Sequence, residues 1–166
     1  MSDSRRSSPS SVFVAVSLST FVALVLTIVQ VPDWLFYFWP DWTALVIVYW
    51  ALVLPNRVGA FVAFIIGTVL EVLFVRKFGV LGLGLAILAF IVNSAHLQLR
   101  VLSIWQQTLF MVLLIGFFKL LTGWLYGIMT DFTITAEYWY SLLGSMVIWP
   151  FTYILLEELR RKARIR

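Results

Sequence analysis

The run VFVAVSLSTFVALVLTIVQV, residues 12–31, is twenty residues long and carries no charge. A helix that crosses a bilayer needs about 20 mainly apolar residues to span about 30 Å of hydrocarbon. A secretory signal would have a shorter apolar core and a small-residue cleavage site behind it. Here Val31-Pro32-Asp33-Trp34 follows instead, so the run reads as a retained first spanning helix.

Similar runs recur to the end of the chain. Pro32 to Trp42 holds two prolines, two aspartates and six aromatic residues. Prolines end helices and aromatic rings favour the headgroup zone, which makes this an interfacial loop. Trp42 to Leu54 is a second span, short unless it starts within the aromatic loop, and Pro55-Asn56-Arg57 ends it. Val58 to Val75 is the third, and the Arg76-Lys77 turn leads to a fourth, opened by Gly79, Gly82 and Gly84 and ending near Arg100. The fifth runs from Ile104 to Met129, with Trp105 and Trp124 spaced about 28 Å apart along a helix, as two interfacial belts would be. Asp131 to Glu137 is a loop, and Tyr138 to Leu156 is the sixth span, bent or restarted at Pro150. The expected organisation is a disordered Ser-rich terminus over 1–11, a six-helix membrane domain over 12–156 and a basic tail over 157–166. A re-entrant third segment would reduce the count to five.

Composition agrees. Of 166 residues, 62% are hydrophobic and 12% charged, about half the charged fraction of a soluble domain, and mean hydropathy is +0.99. A soluble fold of this length leaves too much surface exposed to hide so many apolar side chains. There is no cysteine, which excludes disulfides and thiolate metal sites. The net charge of +4 is not a nucleic-acid footprint, because Arg160, Arg161, Lys162, Arg164 and Arg166 crowd the C-terminus behind an apolar run. Placed there, each basic residue adds about 1 kcal/mol of attraction to anionic lipid. With both termini cytoplasmic, nine basic residues fall inside and only Arg76 and Lys77 outside, which the positive-inside rule favours.

The informative residues are those that do not belong in lipid. Glu71 lies in the third span and Lys119 in the fifth, each costing about 3 kcal/mol at a helix centre unless it finds a partner. Lys119 lies five residues from Trp124, about 8 Å inside the aromatic belt. Glu71 is four residues from the end of its span, at a similar depth, which suggests a Glu71–Lys119 ion pair; the alternative is that each snorkels outward. Asn93 is placed to hydrogen-bond between helices, with Arg57 as a further polar packing residue. His96, the single histidine, lacks companions for a metal site. Ala15, Ser19 and Ala23 form a small-residue ridge on helix one, suited to close packing within the chain or against a partner. No nucleophile elbow, phosphate loop or carboxylate cluster is present, so the chain reads as a non-enzyme without cofactors.

Three stretches then resemble a known family. Trp39-Pro40-Asp41-Trp42-Thr43 through Tyr49-Trp50-Ala51-Leu52 to Leu54-Pro55-Asn56-Arg57-Val58-Gly59 resembles the proline–tryptophan opening, tyrosine–tryptophan span and leucine–proline–basic exit of the rod shape-determining protein MreD family. Gly67, Glu71 and Gly79 are similar to its glycine, acidic residue and later glycine, and Trp105-Gln106-Gln107 with Trp149-Pro150 complete the likeness. Lys119 departs from it, since a polar and often acidic residue is expected there. The resemblance implies a non-catalytic inner-membrane scaffold of the bacterial cell-elongation machinery. It binds MreC and lies near MreB, RodA and the elongation penicillin-binding protein, helping to organise lateral peptidoglycan synthesis. The implied docking residues are Ala15, Ser19 and Ala23 with Trp34, Trp39 and Trp42 of the aromatic loop. The family's fold is itself similar to the substrate-binding component of energy-coupling-factor transporters, which gives the alternative: a small-molecule-binding transporter subunit.

Overall fold

A computed structural model describes residues 9–32, 35, 37–75, 79–130 and 135–162. Its elements are α1 (Pro9–Ile28), α2 (Trp42–Val53), α3 (Ala60–Leu73), α4 (Val80–Val101), α5 (Ile104–Met129), a short 3-10 turn (Ala136–Trp139) and α6 (Tyr140–Lys162). The described residues form no strand, and the chain is an all-α membrane protein. We refer to the two ends of the bundle by residues that mark them, the Asp41 end and the Arg100 end.

Apolar periodicity decides which helices go inside. α2, WTALVIVYWALV, is apolar on every side, and such a helix must be surrounded by protein or by lipid. It is surrounded by protein. Ten consecutive residues, Thr43 to Leu52, are buried, and α1, α4 and α6 pack around it. At 12 residues α2 is about 18 Å long, well short of the hydrocarbon thickness. α3, at 14 residues, is about 21 Å. Among the described residues, α4, α5 and α6 are long and apolar enough to span by themselves. Their outer faces carry the large exposed apolar residues, such as Leu109, Leu113, Phe117, Leu120 and Trp124 at helical spacing on α5. In water that stripe would aggregate; in lipid it is the surface the solvent demands. Trp105 and Trp124 both stand exposed on α5.

Element bounds differ modestly from the sequence expectation. α1 begins and ends about a turn earlier than residues 12–31, α3 stops at Leu73, and α6 reaches Lys162 and continues as helix through Pro150. Arg76, Lys77, Trp34 and Asp131 lie outside the described residues.

Small residues permit the tightest contacts. Ala15, Ser19 and Ala23 are buried against α2, where the Trp50 indole N–H donates to Ser19 Oγ at 2.8 Å. One turn further, the hydroxyls of Thr27 and Thr43 meet at 3.1 Å. Of the two readings of this ridge, close packing within the chain is the one these contacts fit, because the bulky Trp50 needs small neighbours. α3 and α4 form a hairpin that closes at Gly67 and Gly82. A Cβ on Gly67 would stand 2.6 Å from Gly82 Cα, so only glycine admits this approach.

Gly67→Leu is expected to prise α3 from α4 and destabilise the protein by about 1–3 kcal/mol, read as a lowered unfolding midpoint in detergent. Gly116→Ala is the control: its Cβ would meet Leu142 Cδ2 at an ordinary 3.7 Å, and the midpoint should barely move.

Candidate functional site

Helices that end inside a bilayer leave backbone N–H and C=O groups that no water reaches, each costing several kcal/mol if unpaired. The buried polar side chains of this chain answer that need first. Gly79 caps the start of α4 in the left-handed conformation, φ 95°, which glycine adopts without strain. The first-turn amides that follow converge on Glu71, which is 0% exposed. Its Oε2 accepts from Gly79 N–H at 2.7 Å, while Oε1 accepts from the N–H of Leu81 and, at 3.4 Å, of Gly82. A carboxylate there also meets the positive end of the α4 dipole.

The far ends of the short helices are closed from α4 as well. Arg100 donates from Nε to Leu52 O at 3.0 Å and from Nη2 to Val53 O, capping the C-terminus of α2. Asn93 Nδ2 lies 3.5 Å from Pro55 O and 3.4 Å from Val58 O, across the α2–α3 turn. Arg57 is exposed on that turn. Tyr49, on the central helix, donates to Glu157 Oε2 at 3.0 Å, and Arg160 lies 2.5 Å from the other oxygen.

Lys119 is committed elsewhere than to Glu71. Its Nζ lies 3.3 Å from Asp41 Oδ2 and 4.1 Å from the centre of the Tyr138 ring. The expected Glu71–Lys119 pair does not form, for a physical reason. The amides opening α4 are the nearer and more numerous claim on Glu71, and Asp41 is drawn down to Lys119. Ser141 Oγ also donates to Asp41 Oδ2 at 3.2 Å, and Asp41 N–H donates to Ser145 Oγ at 3.1 Å. α5 and α6 thereby grip the residue that opens α2. The sequence carried a signal for this. A helix of 12 residues held between Pro40 and Pro55 cannot place both ends at the interfaces, so the Asp41 preceding it belongs below the surface.

Two concavities flank these elements. The first, about 430 Å³, lies at the Asp41 end with Asp41, Lys119 and Ser141 on one wall. The aromatic segment forms part of its rim, where Trp39 Nε1 donates to Leu26 O at 2.9 Å and packs edge-on against Trp42. The second, about 420 Å³, is an apolar lateral groove between α1 and the start of α3, running from Leu24 past Phe21 and Val16 to Arg57. Among the described residues no three His, Cys, Asp or Glu side chains converge as a metal site would need.

The family model described as rod shape-determining protein MreD matches residues 9–159. A rod shape-determining protein MreD from Haemophilus influenzae is 30% identical over 154 residues, covering 89% of this chain and 92% of that protein. No solved structure matches.

Two outcomes are expected. Glu71→Ala should lower stability by about 3 kcal/mol, at about 1–3 kcal/mol for each buried donor left unpaired, and speed hydrogen exchange at Gly79, Leu81 and Gly82; Glu71→Gln, which keeps an acceptor oxygen, should cost less. In double-mutant cycles read by unfolding in detergent, Asp41→Asn with Lys119→Met should show a coupling of about 0.5–3 kcal/mol, whereas Glu71→Gln with Lys119→Met should be additive.

Proposed function

The chain belongs to the rod shape-determining MreD family, and from that premise we propose that it is a non-catalytic scaffold of the bacterial elongation complex, binding MreC in the cytoplasmic membrane. One observation carries the reading. The family match runs from residue 9 to residue 159, which is the helical bundle from the start of α1 to the last turns of α6. The region that defines the family is thus the bundle itself, and its surface is where partners are read.

Association in lipid is driven by packing, since apolar surface gains little by leaving acyl chains. A single-span partner such as MreC is therefore best received by a concave apolar seam. The groove between α1 and α3 has that form: Val16, Leu24 and Val62 line it, and Phe13 and Phe21 stand exposed beside it. Ala15, Ser19 and Ala23, turned toward α2, support this seam from behind rather than touching the partner. Trp39 and Trp42 belong to the same proposed surface at the Asp41 end, which faces the periplasm when both termini are cytoplasmic; Trp34 joins them in this reading by sequence alone, since it lies outside the described residues. In that orientation the basic C-terminus lies with anionic lipid and the neighbouring MreB, while RodA and the elongation penicillin-binding protein are reached through MreC. Peptidoglycan synthesis is organised in this reading, not catalysed.

Val16→Trp with Val62→Trp fills the groove between α1 and α3. MreC recovered with the tagged, monodisperse variant from detergent should fall by about tenfold, a loss of about 1.4 kcal/mol. Unchanged recovery would remove the groove from the interface.

A further inference from the structure

The cavity at the Asp41 end is built differently from the lipid-facing groove. Every helix of the bundle contributes to its lining, whereas the groove is lined only from α1, the α2–α3 turn and the start of α3. Its volume of about 430 Å³ lies within the range of small-molecule sites, about 300–1,000 Å³. One wall is apolar, made by Leu70, Phe74, Leu81, Leu85 and Phe118. Asp41 and Lys119 also line this cup, together with the aromatic residues Tyr37, Trp39 and Tyr138.

The two charges are not equally available. The Lys119 side chain is 7% exposed and lies between the Asp41 carboxylate and the Tyr138 ring. The Asp41 side chain is 31% exposed. Both described bonds to its carboxylate, from Lys119 and Ser141, go to Oδ2, and among the described residues Oδ1 accepts none. The accessible formal charge in the cup is therefore negative. Aromatic faces beside a carboxylate add to the attraction for a cation. The positive end of the α2 dipole, which would otherwise draw an anion, is answered by Asp41 itself at the helix start.

We propose that this cup binds a small amphipathic amine, its ammonium group on Asp41 Oδ1 beneath the aromatic rim and its apolar body against Leu81, Leu85 and Phe118. The site is independent of the lateral groove and of the partner assigned to it. Lys119 fixes the carboxylate in place and keeps the pair neutral when the cup is unloaded, so entry of a cation does not have to expel a buried charge. A carboxylate ligand would instead meet Asp41 at close range.

Isothermal titration of the purified full chain in detergent micelles tests this with three probes of one shape: tryptamine, indole-3-propionate and 3-methylindole. Tryptamine is expected to bind saturably at one site per chain, and the anionic and neutral probes at least about tenfold more weakly. Asp41→Asn should lower tryptamine affinity by at least about tenfold by removing the charge. Leu85→Trp, which leaves Asp41 intact and fills the apolar end, should abolish binding and decides the matter if Asp41→Asn is not monodisperse. The groove variant Val16→Trp with Val62→Trp should bind tryptamine as the unaltered chain does, which separates this proposal from the scaffold reading. Equal binding of the three probes, a non-saturating uptake that follows the detergent, or full tryptamine affinity in Leu85→Trp would overturn it.

Discussion

Backbone polar groups that end inside lipid must be paired by the protein, and most of the buried polar chemistry of this chain follows from that. α2 and α3 are too short to carry their ends to water. Side chains from neighbouring helices therefore close them. Arg100 takes the last carbonyls of α2, Asn93 reaches across the α2–α3 turn, and Glu71 at the end of α3 takes the first amides of α4. α4 is the common member. It receives a carboxylate at its N-terminus and sends an amide and a guanidinium from its other half, so the two short helices are both tied to one long one.

These ties explain the layering. With its ends closed, α2 can sit at the centre with ten successive buried residues, and α1 lies along it through Ala15, Ser19 and Ala23 because Trp50 fills the space between. Gly67 and Gly82 bring α3 and α4 close enough for the Glu71 carboxylate to reach three amides at once. Packing and polar pairing are thus one arrangement: widening the hairpin by a side chain would also pull the cap off α4.

The same arrangement leaves the bundle with two unlike concavities. The cup at the Asp41 end adjoins the start of the short α2, with Asp41, Thr43 and Ala44 in its lining beside Tyr37, Trp39 and Pro40 of the preceding segment. Membership of a rod shape-determining family directs attention to the lateral groove and the lipid-facing sides, where another membrane protein can dock. The cup, with a carboxylate under an aromatic rim, suits something smaller that carries positive charge.

Periodicity, hydropathy and the prolines determined much of this from the sequence. Six helical segments, their order and most of their bounds are legible because lipid demands long apolar runs and prolines interrupt them; α5 is found at the expected residues 104–129. Sequence also marked Glu71, Lys119 and Asn93 as residues that must find partners, since a polar group in hydrocarbon is costly wherever it lies. It did not determine which partners. Pairing Glu71 with Lys119 assumed that charge seeks charge at equal depth, whereas unpaired amides at a helix start compete for the same carboxylate and were nearer. Which face of the Ala15, Ser19 and Ala23 ridge is covered, and how far Asp41 sinks, depend on α2 being surrounded on all sides. That is a property of three-dimensional packing, which places residues 78 positions apart, such as Asp41 and Lys119, at 3.3 Å.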